Sequence, residues 1–151
     1  MKVLVVYDSY FGNTAIIAET IAQELNSEHI KVHSFNTDTI NKYDCIIVGT
    51  PTRAFKATKE ITKLVKKIER LDVKIALFDT RMNVDEVDSK LLRFLTSKFG
   101  YATDSLEKIL KKNNISLAAP SNAFYVQDSE GPLVDGEIER AKEWVNSFKE
   151  V

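Results

Sequence analysis

Val3-Leu4-Val5-Val6-Tyr7-Asp8-Ser9-Tyr10-Phe11-Gly12-Asn13-Thr14 is followed by an amphipathic run from Ala15 to Leu25. Four apolar residues, a short turn rich in hydroxyl, Gly and Asn, and then a helical period read as strand, loop and helix. The loop ends where the helix begins. A first helical turn carries unpaired N–H groups and the positive end of the dipole, which together suit a phosphate. Ser9 and Thr14 add hydroxyls, Asn13 adds an amide, and Gly12 lets a ligand approach the backbone. No lysine or arginine lies in the loop. A nucleoside-triphosphate loop needs a Lys before its Ser/Thr, and a dinucleotide loop needs G-x-G-x-x-G; neither is present. These residues alone leave two readings open, a phosphate site and an ordinary helix cap.

Outward from this stretch, the 151 residues fit one domain with an ample core. Hydrophobic residues make up 44% and charged residues 28%, as in soluble globular chains. A formal net charge of −1 provides no global field for nucleic acid or anionic membrane. The single cysteine, Cys45, lies in the apolar run Cys45-Ile46-Ile47-Val48 and reads as a buried thiol. It permits neither an internal disulfide nor a zinc cluster, which fits the cytoplasm. No signal peptide or membrane span is evident.

The chain reads in the order β-α-β-β-α-β-α-α-β-α. Helix one runs from Thr14 to Asn26, with Ile17, Ala18, Ile21, Ala22 and Leu25 on one face. Lys31 to Phe35 is expected to form an edge strand, and Tyr43 to Thr50 a buried central one. Helix two is expected from Thr58 to Arg70, and the next buried strand from Val73 to Phe78. Ser89 to Phe99 and Ser105 to Lys112 read as two helices broken at Gly100, the first a flap over the sheet's C-terminal edge. Ile115 to Ala118 starts the last strand, Pro120 interrupts it, and Ala123 to Val126 resumes it. A helix from Glu137 to Phe148 closes the chain.

Apolar inner strands alternating with helices mean a parallel sheet covered on both faces. Ligands of such sheets sit beyond the C-terminal strand ends, where strand order reverses. The loops to inspect are therefore Asp8 to Asn13, Thr50 to Ala57 and Asp79 to Val87. The second contains Gly49-Thr50-Pro51-Thr52-Arg53-Ala54-Phe55, in which Phe55 either stacks on a planar ligand or folds back on helix two. The third supplies Asp79, Thr80 and Arg81, with an Asp79–Arg81 ion pair as the alternative to ligand contacts.

Ser9-Tyr10-Phe11-Gly12-Asn13-Thr14 resembles the phosphate loop of flavodoxins, [ST]-x-T-G-x-T. Gly49 to Phe55 and Phe78-Asp79-Thr80-Arg81 resemble the two flavin-ring loops of a flavodoxin-like branch. Glu130-Gly131-Pro132-Leu133, followed by Gly136-Glu137-Ile138-Glu139-Arg140-Ala141, is similar to that branch's ending. The resemblance spans the whole chain, and implies an α/β, three-layer, doubly wound fold. Its five-stranded parallel sheet would have the order 2-1-3-4-5 with helices on both faces. It further implies FMN, with the phosphate on Ser9, Tyr10, Phe11, Gly12, Asn13 and Thr14. The ring would lie between Pro51, Thr52, Arg53, Ala54, Phe55 and Asp79, Thr80, Arg81.

Three residues depart from the family pattern. Phe11 replaces a hydroxyl residue and removes a phosphate donor. The third loop has no Tyr or Trp for stacking, leaving that face to Phe55, Met82 or the flap. No Gly lies in Thr52 to Phe55, where it would ease the peptide flip that accompanies flavin reduction. These departures predict a loosely held FMN. Arg53 and Arg81 beside the ring would favour the anionic two-electron reduced state and a two-electron habit.

The implied function is a redox protein carrying electrons between a reductase and an acceptor protein. The alternatives are an FMN-dependent quinone or small-molecule reductase and an interaction module of the same fold without FMN. A phosphoacceptor receiver domain shares the strand order, but needs an acidic pair after strand one and an acceptor Asp ending strand three. Only Asp8 and the run Val48-Gly49-Thr50 occupy those places. No Ser-His-Asp or paired-carboxylate arrangement points to a hydrolase. The sequence leaves the oligomeric state open.

Overall fold

A computed structural model of the chain describes residues 1–69, 72–84 and 89–149. The elements follow the expected order: β1 (Val3–Tyr7), α1 (Asn13–Glu24), β2 (Glu28–Lys31), β3 (Cys45–Pro51) and α2 (Lys59–Lys66). They continue with β4 (Lys74–Met82), α3 (Lys90–Phe99), α4 (Ala102–Lys112), β5 (Asn122–Val126) and α5 (Glu137–Asn146). The five strands form one parallel sheet in the order β2-β1-β3-β4-β5. Strand order reverses between β1 and β3, so the crevice at their C-terminal ends is the place for a ligand.

Period-two alternation sorts the apolar strands into two cores. In β1, Leu4 and Val6 join Ile46, Val48, Ile75 and Leu77 beneath Ile61, Leu64 and Val65 of α2 and Leu106 and Leu110 of α4. Val5 and Tyr7 face the other way, with Ile47 and Phe78, against Ile17 and Ile21 of α1 and Trp144 and Val145 of α5. An unbroken apolar strand is what burial on both faces requires. α2 begins at Thr58, whose hydroxyl accepts the Ile61 N–H at 3.3 Å. α3 belongs to neither core, and its Leu91, Phe94 and Phe99 are exposed.

α2 ends at Lys66 and α4 begins at Ala102, three residues before the expected Ser105, and three strands differ in extent from the sequence reading. The edge strand lies at Glu28–Lys31, earlier than Lys31 to Phe35, and residues 32–34 form a 3₁₀ turn. Its register against β1, Leu4↔Glu28 to Tyr7↔Lys31, is set by pairing, since a solvated edge carries no apolar signature. The apolar run ends at Phe78, but β4 continues to Met82 because β3 and β5 flank it: Thr50↔Asp79 and Pro51↔Thr80 on one side, Asp79↔Ala123 to Met82↔Val126 on the other. Asp79, Thr80 and Arg81 are therefore strand residues, not loop. Finally, β5 proper is Asn122–Val126, and the 115–118 stretch contributes only the bridge Ile75↔Leu117. Arg70, the expected end of helix two, and Val87, the expected end of the third loop, lie outside the described residues.

Candidate functional site

The crevice at the C-terminal ends of β1, β3 and β4 is a cavity of about 510 Å³. Ser9, Tyr10, Phe11, Asn13, Thr14, Pro51, Thr52, Arg53, Ala54, Phe55, Thr80 and Arg81 line it. The fold thus brings together residues from all three stretches singled out in the sequence.

The first stretch turns at Gly12, whose φ of +92° is left-handed. A Cβ there would meet nothing within 4 Å, so glycine serves the backbone conformation rather than the space. Ser9 Oγ accepts the N–H groups of Gly12 at 3.1 Å and Ala15 at 3.4 Å. Those N–H groups converge on an oxygen at the start of α1, as they would on an oxygen of an anion. The N-cap residue of α1 is Gly12, which has no side chain to cap it, so the ordinary-cap reading of Asn13 and Thr14 does not describe this helix start. Thr14 is buried, with its Oγ1 2.7 Å from Thr80 Oγ1, which ties the loop to β4. The Asn13 amide donates to the Glu130 carbonyl at 3.1 Å and draws the 128–131 turn to the cavity. Gly131 is required there: its φ is +106°, and a Cβ would lie 2.6 Å from Asn13 Oδ1.

The second stretch is a tight hairpin. Arg53 and Lys56 exchange both backbone hydrogen bonds at 2.9 Å, with Ala54 (φ 47°) and Phe55 (φ 67°) between them. Two consecutive non-glycine residues with positive φ are strained, and persist only where the surroundings hold them. Phe55 packs on Phe99 of α3 with ring centroids 5.8 Å apart. The Arg53 guanidinium lies over the rings of Tyr10, 4.5 Å from the centroid, and Phe11, 5.9 Å away. Arg53 thus lines the cavity next to the 9–14 loop.

The third stretch holds a buried ion pair. Arg81 donates to Asp79 through Nε at 2.7 Å and Nη2 at 2.8 Å. Asp79 is 0% exposed and so does not face the cavity; it acts through Arg81 and Thr52. Burial pushes its carboxyl above the usual carboxylate range, against the opposing pull of Arg81 and the Thr52 hydroxyl. Thr52 Oγ1 donates to Asp79 Oδ2 at 2.9 Å and accepts the Ala102 N–H at 3.2 Å, locking the hairpin to α4. Arg81 lines the cavity as half of the Asp79–Arg81 ion pair, the alternative that the sequence left open beside ligand contacts.

Several lining residues escape the sequence reading. Tyr101 sits under Arg81, its ring centroid 3.5 Å from the guanidinium carbon, and restores an aromatic to this wall. Its signal was its position between the helix-breaking Gly100 and the start of α4. Leu92 and Thr96 of α3 line the wall where the flap was expected, as does Met82, which the sequence offered for this face; Val84, Val126, Ser129 and Glu130 complete the lining. The cavity therefore has one end of N–H and hydroxyl donors and another of aromatic and apolar side chains. That polarity fits a planar group carrying a phosphate tail. Among the described residues, no group of three or more His, Cys, Asp or Glu could hold a metal ion. Among the same residues, no helix is long and apolar enough to cross a membrane.

A family model described as a flavodoxin domain matches residues 4–114. An uncharacterized protein of Methanocaldococcus jannaschii is 37% identical over 81 residues, which is 53% of this chain and 54% of that protein. The chain thus spans about half the length of the curated relative that it matches. Among solved structures, oxidised flavodoxin 1 from Bacillus cereus superposes with a TM-score of 0.75 at 19% identity, covering 99% of this chain and 98% of that one. A flavodoxin from the domain Archaea superposes at 0.72, also at 19% identity, covering 99% and 97%.

Proposed function

The chain belongs to the family of flavodoxin domains, and from that premise we propose that it binds FMN and carries electrons between a reductase and an acceptor protein in the cytoplasm. The observation that supports this most is the cavity's two-ended chemistry, with donors at 9–14 and aromatic walls at Phe55 and Tyr101. When bound, FMN supplies one- and two-electron redox chemistry, and the protein sets its access and environment.

The chain's own residues divide the work. The Gly12 and Ala15 N–H groups and the Ser9 hydroxyl receive the phosphate, with Ser9 turning its oxygen from acceptor to donor. Phe55, braced by Phe99, and Tyr101, capped by Arg81, border the ring and exclude water. Thr52 holds one wall to the other through Asp79 and Ala102. The Asp79–Arg81 pair compensates charge close to the ring, which removes half the argument for a strict two-electron habit and favours the carrier reading.

The test is flavin absorbance and fluorescence on titrating purified protein into FMN. Stoichiometric quenching with displaced absorption bands is expected. An FMN spectrum that ignores the protein would leave the fold without this function, and its surface would become the place to look.

A further inference from the structure

We propose that Arg53 supplies the phosphate cation that the nucleotide loop lacks, reaching it from the hairpin across the cavity mouth, and thereby selects a phosphorylated flavin over the unphosphorylated one. The inference rests on the FMN reading and adds a specificity residue to it.

The need arises from the loop's own inventory. Residues 9–14 contain no lysine or arginine, and Phe11 contributes no donor. One of the two hydrogens of the Asn13 amide is already given to the Glu130 carbonyl. The Thr14 and Thr80 hydroxyls are paired with each other, so at most one of the two hydrogens is free. What remains is Ser9, the Tyr10 hydroxyl, one Asn13 amide hydrogen and a few N–H groups, a set without a positive charge for a dianion.

The geometry supplies the remedy. Arg53 lies far from the loop in sequence, yet its guanidinium stands over the rings of Tyr10 and Phe11, the residues directly before Gly12. Both rings project outward, 53% and 51% exposed, and act as rails for the cation. Its backbone is pinned by both hydrogen bonds to Lys56, and the strained Ala54-Phe55 turn is held in this pose by Phe99 and by the Thr52–Asp79 hydrogen bond. Among the described residues, no carboxylate forms a salt bridge with Arg53, whereas the other cation lining the cavity, Arg81, is committed to Asp79. A guanidinium over an exposed ring keeps free N–H groups in a planar fork suited to phosphate oxygens. Charge-assisted hydrogen bonds to phosphate are the stronger attachment, so the side chain turns from rails to ligand without moving its backbone.

The experiment measures dissociation constants for FMN and riboflavin by fluorescence quenching, in the wild type, Arg53→Gln and Arg53→Lys, at low and high salt. Loss of a charge-assisted bond predicts FMN affinity weaker by roughly 10- to 100-fold in Arg53→Gln. Riboflavin affinity should stay within about twofold, since it presents no charge to the site, and the salt dependence of FMN binding should flatten. Arg53→Lys should recover part of the loss. Phe11→Thr should raise FMN affinity more in Arg53→Gln than in the wild type, because the returned hydroxyl serves the phosphate most where the cation is missing; a merely structural role for Arg53 would give equal gains in both. Equal losses for both flavins, or no loss for either, would overturn the proposal while leaving FMN binding intact. A wild type that binds neither flavin would overturn the FMN reading and this proposal together.

Discussion

At the scale of single residues, Asp79 is a carboxyl placed in the core beside its own cation. It is wholly buried, and its carboxyl is raised above the usual range chiefly by that burial. The folded state therefore holds the Asp79 proton more tightly than the unfolded chain does. Its contribution to stability is full below the unfolded pKa and is lost as pH rises through the folded one. Arg81 limits that loss by staying bidentate on the charged form. Arg81→Met removes the compensation and leaves a buried carboxylate unpaired, at a cost of about 3–5 kcal/mol near neutral pH. The penalty should shrink toward pH 4, where protonation of Asp79 relieves it. Urea unfolding of both proteins at the two pH values checks this, and a pH-independent penalty would contradict it.

At the scale of elements, β3 and β4 are matched so closely that one hydrogen atom decides the fit. A Cβ on Gly49 would lie 2.1 Å from Cζ of Phe78, its register partner. The Phe78 ring has nowhere to go: Phe124 lies 5.8 Å away and Trp144 6.1 Å away, both edge-on. Gly49→Ala should accordingly destabilise the protein by about 1–3 kcal/mol through overpacking. A lowered Tm together with altered Trp144 fluorescence is the expected result, and an unchanged Tm would show that the strands separate at no cost. The consequence reaches the site, since β3 and β4 end in the cavity walls. The hairpin of residues 53–56 is the opposite case, an element whose local preference is unfavourable at Ala54 and Phe55 and whose pose comes from Thr52, Phe99 and Tyr10.

At the scale of the molecule, the sheet divides two cores, and β3 lies at its centre. Cys45 starts that strand and is 1% exposed. Burial pushes its thiol up to about 11, with Lys74 pulling the other way and Asp44 adding slightly to the rise. A thiol both hidden and protonated is unreactive, so labelling near pH 8 should require opening of the central sheet. Labelling rates across denaturant concentration should then report the same free energy as global unfolding. Rapid stoichiometric labelling in buffer would mean that the sheet opens locally at β3.

The amino-acid sequence by itself determined the layers: period-two and helical spacings assign each apolar residue to a face, because facing is a local property of backbone geometry. It also placed the donor-rich turn at the head of α1 and the order of strands and helices. Only the tertiary structure decided the pairings that make the site specific. β4 outlasts its apolar run because two neighbouring strands continue to pair with it. Of the two readings open for Arg81 the fold took the ion pair with Asp79, Tyr101 fills the wall that lacked an aromatic, and Arg53 stands over Tyr10 and Phe11. Each of these joins residues brought together by sheet order and register. Local periodicity carries a residue's face but not its distant partner, so the site's polarity was legible while its wiring was not.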